Sequence, residues 1–225
     1  MPRKSSKYSV PDPLKSERDW TDVSLSEIPS LPELRKLSVS NVRFVHLSYH
    51  SQVYLVDFKH QGQQVRAIFK VFSKDMDERY IDEVNAYRLL NHYDVTSKGV
   101  VPKIYGVLPT ITQKELESLL GGAQPDEAKV TFPASAVLIE YIEGGQRPSK
   151  ENMTVQLAEE ILHGLRLIHN AHVIHYDPEP RNILIYPDAG RAVWIDFSNA
   201  ESTPEWWEPI EERNLVRGLV YRQLV

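Results

Sequence analysis

The sequence predicts an α+β fold, in which an antiparallel sheet is followed by a mostly helical second half. Three strand-like runs lie close together, at Val42–Val45, Gln52–Phe58 and Val65–Phe72, and a short turn joins the last two. Residues 154–169 predict the clearest helix, because their apolar side chains recur three or four positions apart. Two short apolar runs further on, Ile183–Tyr186 and Ala192–Ile195, flank a Pro/Asp/Gly turn and predict a hairpin.

The composition limits the classes of protein to consider. The chain has 225 residues, 41% of them hydrophobic, which is enough for one core or a small two-lobed domain. A net charge of −5 gives no broad basic surface, so we expect no nucleic-acid partner. The absence of cysteine excludes a disulfide scaffold and thiolate chemistry. With no long apolar run and no signal-like start, we expect no membrane association and an intracellular protein, cytoplasmic or nuclear.

Residues 1–40 are rich in serine, proline and charge, and predict an arm that is either flexible or strapped onto the domain. In the third strand, Lys70 interrupts an apolar run. Such a lysine either serves a binding site or lies on an edge strand, where it deters aggregation. In the helix predicted over residues 75–91, Glu83 is one of several acids, and a solvated acid on a charged helix face is one interpretation of it.

The remaining elements follow in order. Val100–Leu108 predicts a strand pair with a proline at its entry, and residues 112–129 predict a helical insertion or a loop. Ala136–Ile142 predicts an apolar strand that ends before Gly144 and Gly145. Thr154 is the predicted N-cap of the long helix, and a closing helix is predicted through Leu215, Leu219, Val220 and Leu224.

Three oxygen-bearing side chains flank the predicted hairpin. Asp177 and Asn182 precede its first strand, and Asp196 follows its second strand. A tight hairpin brings its outer ends together, so we expect the three side chains to converge, as hard cations such as Mg²⁺ require. The alternative is that each side chain only caps its own turn or strand.

The order of these residues, His175-x-Asp177-x-x-x-x-Asn182 followed by Asp196-Phe197, resembles the catalytic and metal loops of the protein-kinase-like superfamily. The short segment after Phe197 is similar to that of small atypical or fungal-type members with a truncated C-lobe. The resemblance implies a two-lobed fold with an N-lobe and hinge at 41–145 and an abbreviated, mostly helical C-lobe at 146–225, after the arm at 1–40. It also implies ATP and Mg²⁺ as cofactors.

The resemblance assigns catalytic and metal roles residue by residue. Lys70 would hold the nucleotide phosphates. Glu83 would pair with Lys70 and orient it, and Glu78 is the rival acid for this role. Asp177 would orient the acceptor hydroxyl and accept its proton, and Asn182 and Asp196 would hold the metal. Arg181 would either supply positive charge at the transferring phosphate or pair with Glu179 on the surface.

The resemblance also assigns nucleotide contacts, but here the sequence departs from the family. Ser48, Ser51 and Val53 occupy the phosphate loop, where His46, Ser48 and Ser51 stand at the three glycine positions. Glycine matters there because bare backbone approaches phosphate closely. At the hinge, the backbone of Glu140 to Ile142 would contact adenine.

Three functions follow from this resemblance. The leading one is ATP- and Mg²⁺-dependent phosphoryl transfer, acting on protein hydroxyls. The alternatives are a pseudokinase that serves as a binding module, and a small-molecule phosphotransferase of the aminoglycoside- or choline-kinase type. The expected partners are ATP and an unidentified protein substrate or regulatory partner.

Overall fold

The structure is a computed structural model and describes residues 24–48, 51–123, 130–202 and 208–224. A five-stranded antiparallel sheet forms its first half. The strands are β1 Val39–Leu47, β2 Ser51–His60, β3 Gln63–Phe72, β4 Ile104–Ile111 and β5 Ala134–Glu140. Their order in the sheet is β1-β2-β3-β5-β4. The predicted meander of the first three strands is confirmed. Because β3 lies between β2 and β5, the edge-strand explanation of Lys70 is wrong.

Four α-helices accompany the sheet in the described part of the chain, so the predicted α+β class is confirmed. They are α1 Asp77–His92, α2 Gln113–Leu120, α3 Val155–Asn170 and α4 Glu208–Arg222. The hydroxyl of Thr154 accepts from the backbone N–H of Leu157 at 3.2 Å, which confirms the predicted N-cap of α3. Helix α2 begins with a capping box formed by Thr112 and Glu115 within the predicted insertion, and residues 124–129 of that insertion lie outside the described residues.

Four short strands complete the second half. Strands β7 Ile183–Tyr186 and β8 Arg191–Trp194 form the predicted hairpin, and β6 Val173–Ile174 pairs with β9 Glu201–Ser202. The strand pair predicted over Val100–Leu108 is wrong, because one strand begins only at Ile104. The backbone carbonyl of Val100 instead accepts from the N–H of Trp194 at 2.8 Å, which ties this segment to the hairpin.

Two apolar clusters cover the two faces of the sheet. One lies between the sheet and α2, and it includes Tyr54, Phe69 and Leu116. The other begins with Phe72 and Val137 on the opposite face and continues through α1 to α3 and the hairpin. The elements that carry the acidic residues are therefore packed through one core onto the face that carries Lys70. None of the described helices is long and apolar enough to cross a membrane.

Candidate active site

Lys70 is the centre of the site. It lies near the C-terminal end of β3, opposite Val53 of β2 and Val137 of β5. Its Nζ is 2.7 Å from Oε2 of Glu83 on α1 and 2.7 Å from Oδ1 of Asp196. The side chains of Lys70 and Glu83 are only 7% and 1% exposed. The structure thus brings together the lysine and the two acids that the sequence singled out, and Glu83 rather than Glu78 is the partner on α1.

The charges of this cluster depend on one another. Burial alone would lower the pKa of Lys70, but Glu83 and Asp196 together outweigh it, so its pKa is raised and the amine stays protonated. Burial would raise the pKa of Asp196, but Lys70 and the hydrogen bonds from Ser198 hold it well below its usual range. Burial raises the pKa of Glu83, against the opposing effect of Lys70. Asp196 is therefore held in its ionised form beside the Lys70 ammonium.

The backbone around Asp196 fixes the direction of its carboxylate. Asp196 adopts a positive φ of 66°, and the hydroxyl of Ser198 donates to its Oδ1 at 2.7 Å. The ring of Phe197 lies edge-on to Tyr87 of α1, with centroids 5.5 Å apart, and 4.9 Å from the ring of His175. Since Phe197 is fully buried between α1 and the loop that contains Asp177, it anchors Asp196 beside Lys70.

Asp177 lies on the loop before β7 and contacts two of the predicted residues. Both of its carboxylate oxygens accept from Nη2 of Arg181, at 2.7 and 2.9 Å. The amide nitrogen of Asn182 donates to Oδ2 of Asp177 at 2.8 Å and to its backbone carbonyl at 2.9 Å. Arg181 therefore pairs with Asp177 and not with Glu179, the surface partner that the sequence left open.

Asn182 and Asp196 can serve as a pair of ligands for Mg²⁺. The backbone carbonyl of Asn182 accepts from the N–H of Ile195 at 2.9 Å. Because Ile195 directly precedes Asp196, this bond brings the backbone of Asn182 close to that of Asp196. Because the side chain of Asn182 donates through its nitrogen, its Oδ1 remains an acceptor. Asp196 offers an ionised carboxylate, and its side chain is 43% exposed. Mg²⁺ typically takes one or two protein oxygen ligands and completes its shell with water and phosphate, so this donor set fits it. Across the described residues there is no group of three or more His, Asp or Glu side chains that could hold a metal ion.

Glu212 is a site residue that sequence reasoning missed. This buried carboxylate of α4 accepts from the backbone N–H of Tyr176 at 2.7 Å and from that of His175 at 3.2 Å, and it contacts Nε2 of His169 at 2.7 Å. Tyr176 has a positive φ of 56°, and the bond from its N–H helps to hold this conformation. Glu212 thereby fixes the start of the loop that contains Asp177. The sequence did contain a signal for its burial. Glu212 lies four and eight residues before Val216 and Val220 on α4, and therefore on the same buried face of the helix.

Two residues of the predicted phosphate loop, Ser48 and Ser51, are hydrogen-bonded to each other. The hydroxyl of Ser48 accepts from the backbone N–H of Ser51 at 2.9 Å, and the two hydroxyls are 3.2 Å apart. The bonds between these groups compete with phosphate for the same hydroxyl and backbone donors. Val53, two residues further, lies opposite Lys70.

The predicted hinge contacts lie at the end of β5. The backbone N–H of Glu140 donates to the carbonyl of Lys103 at 2.8 Å, and its carboxylate accepts from the N–H of Lys103 at 3.0 Å. Glu140 N–H is therefore already engaged. In the described part of the chain, the backbone N–H and C=O of Ile142 make no hydrogen bond, so Ile142 has both groups available for a ligand.

No protein-family model matches the chain, and no curated protein matches it either.

Proposed function

We propose that the chain is a phosphotransferase of the protein-kinase-like type, which uses ATP with Mg²⁺ to phosphorylate protein hydroxyl groups. The observation that carries the proposal is the buried contact of Lys70 with both Glu83 and Asp196. Burying Lys70 and Glu83 costs folding free energy unless their charges are paired, and such clusters occur preferentially at functional sites.

Lys70 has the hydrogen-bonding capacity that a phosphate-binding lysine needs. An ammonium group has three N–H donors, and Glu83 and Asp196 accept from two of them. The third donor remains for a phosphate oxygen, while Glu83 keeps the amine in place. Asn182 and Asp196 would hold Mg²⁺, which neutralises phosphate charge when it is bound.

Asp177 is the proposed acceptor of the substrate proton. The hydroxyl oxygen of the acceptor attacks the terminal phosphorus of ATP, the bond to the leaving ADP oxygen breaks, and the hydroxyl proton passes to the Asp177 carboxylate. Arg181 lies against this carboxylate and is 65% exposed. It can therefore turn toward the transferring phosphate and stabilise its charge.

A protein acceptor fits the open surroundings of Asp177. The neighbouring Tyr176 and Arg181 are both exposed, so a bulky chain can approach the carboxylate from solvent. A small-molecule site would instead require enclosing walls that bury most of its ligand.

A binding module without turnover is the second candidate. The mutual hydrogen bonds of Ser48 and Ser51 favour it, and so does the engagement of both Asp177 oxygens by Arg181. Calorimetry with Mg-ATP and a turnover assay with an unfolded protein acceptor separate the two functions. Binding together with phosphate transfer supports the phosphotransferase. Binding without transfer supports a nucleotide-binding module. No binding by folded protein contradicts the phosphotransferase and leaves a module that does not use nucleotide.

A further inference from the structure

Residues 24–34, which we call the strap, run across the outer side of α1. The strap begins with a short 3₁₀ turn at Leu25–Glu27, and Ile28 and Leu31 are buried in the same apolar cluster as Tyr87 and Leu90 of α1. This part of the predicted arm is thus packed onto the domain, whereas residues 1–23 lie outside the described residues.

Arg88 of α1 binds the strap through its backbone. Its Nη2 donates to the carbonyls of Leu25 and Ile28, each at 2.6 Å, and its Nε donates to the carbonyl of Pro29 at 3.3 Å. Its Nη1 donates to Asn85 on the preceding turn of α1 at 3.2 Å, which holds the guanidinium in place. One cation therefore binds three carbonyls of the strap, and such charge-assisted hydrogen bonds are stronger than neutral ones.

The other end of the strap is bound to the edge of the sheet. The carbonyl of Pro32 accepts from the N–H of Val107 at 2.8 Å, and the N–H of Leu34 donates to the carbonyl of Val107 at 2.9 Å. The neighbouring Gly106 permits this approach, because a Cβ there would lie 2.6 Å from the Pro32 carbonyl oxygen. The strap therefore links α1 to β4.

Glu83 and Arg88 lie on different sides of α1. Five residues at 3.6 residues per turn separate their directions by about 140°. Glu83 thus faces Lys70 and the sheet, while Arg88 faces the strap. As a result, α1 is held between the strap and the face of the sheet that carries the site.

We propose that Arg88 is a positioning residue, which holds α1 against the sheet through the strap and so keeps Glu83 in contact with Lys70. The proposal deepens the proposed function, since it rests on the role of the Lys70–Glu83 pair. Arg88 touches none of the reacting groups and acts only through the position of α1.

The first test needs no nucleotide. Lys70 is buried and doubly paired, so its amine should react slowly with an acetylating reagent, and mass spectrometry reports the rate for each lysine. Arg88→Ala should raise the acetylation rate of Lys70 at least fivefold, with exposed Lys98 as the internal reference. Gly106→Ala should do the same, because it displaces the strap from the other end without touching α1. Arg217→Ala, an exposed arginine of α4, is the control and should change nothing.

Hydrogen exchange of α3 distinguishes a shift of α1 from general unfolding. We expect unchanged exchange in α3 and faster exchange in α1 for both strap variants. A Lys70 acetylation rate within twofold of wild type in both variants overturns the proposal. Equally accelerated exchange in α1 and α3 in both variants also overturns it, because the strap then stabilises the whole fold and does not position α1.

A double-mutant cycle then tests the link to nucleotide. Arg88→Ala should weaken Mg-ATP binding about fivefold in the wild-type background and less than twofold in a Glu83→Gln background, because both changes act through one contact. Equal losses in the two backgrounds contradict the proposal. If the wild-type protein binds no Mg-ATP, the proposed function fails, while the acetylation test still decides the role of the strap.

Discussion

The two aspartates of the site are held in opposite ways. Asp196 is paired with Lys70, a buried ammonium that Glu83 also contacts, whereas Asp177 is paired with Arg181, whose side chain is 65% exposed. The buried Lys70 ammonium cannot leave its partners without remaining unsolvated, but the exposed Arg181 guanidinium can leave Asp177 at little cost. The Asp196 region is thus suited to a fixed binding role and the Asp177 region to a group that changes partners during a reaction.

Removing Lys70 should have the largest effect on stability. Lys70→Met leaves the buried carboxylate of Glu83 without its cation, and we expect the free energy of unfolding to fall by about 3 kcal/mol. Urea denaturation measures this, with Lys59→Met on the exposed part of β2 as the control. Adding Glu83→Gln to Lys70→Met should recover part of the loss. A change below about 1 kcal/mol for Lys70→Met would show that the pair is not buried as described.

Replacing Asp177 should separate turnover from binding. Asp177→Asn keeps the shape but removes the proton acceptor, so we expect phosphate transfer to slow by about 10²–10⁴-fold while Mg-ATP affinity stays unchanged. Steady-state kinetics and calorimetry measure the two effects, and Asp188→Asn in the hairpin turn is the control. Loss of Mg-ATP binding in Asp177→Asn would mean that the roles of the two aspartates are assigned wrongly.

The anchoring of the Asp177 loop should depend on pH. Burial lowers the pKa of His169 and of His175, against the opposing effect of Glu212 on both. The unfolded chain, with ordinary histidine pKa values of about 6.5, therefore binds protons that the folded chain does not, and stability falls as pH decreases from about 7 toward 5. Each histidine contributes a slope of up to about 1.4 kcal/mol per pH unit.

Denaturation curves from pH 8 to pH 5 measure this slope. His169→Gln should remove the contribution of one histidine to this slope, because glutamine does not titrate. Glutamine can still donate to Glu212, so the anchoring contact is kept. His163→Gln, at an exposed position of α3, is the matched control and should leave the slope unchanged. An identical slope in wild type and His169→Gln would contradict the assignment.

The smallest stability effect is expected for Arg181. Because this arginine is exposed, Arg181→Ala should change the free energy of unfolding by less than about 1 kcal/mol, although it contacts both oxygens of Asp177. Phosphate transfer should nevertheless slow, since Arg181 is the proposed cation beside the transferring phosphate. A loss above about 2 kcal/mol would mean that the Asp177 region is as rigid as the Asp196 region.

The sequence predicted the parts of the fold that have short-range signals. Alternation and turn residues predicted the β1–β3 meander and the hairpin. The spacing before the hairpin also predicted that Asp177 and Asn182 lie close together. The prediction that Glu83 is the partner of Lys70 depended on a family resemblance. Local sequence patterns do not show such pairs, because 13 residues separate Lys70 from Glu83 and 126 separate it from Asp196.

Other contacts could not be predicted for a physical reason. Arg88 binds backbone carbonyls of the strap, and because every residue has a carbonyl, the strap sequence contains no complementary signal. Glu212 likewise binds backbone N–H groups that lie 36 and 37 residues earlier in the chain. The predicted strand over Val100–Val101 failed because a tertiary bond to Trp194 takes the place of sheet pairing.

Calorimetric titration with Mg-ATP tests the central claim, that Lys70, Glu83 and Asp196 form a nucleotide site, most directly. We expect the wild-type protein to bind Mg-ATP and to gain thermal stability on binding. Removal of Mg²⁺ by a chelator should weaken this binding, and Asp196→Ala should abolish its Mg²⁺-dependent part while the variant remains folded. Wild-type protein that is folded and gives neither heat nor a thermal shift at millimolar Mg-ATP, or an Asp196→Ala variant that binds as well as wild type, would contradict the claim.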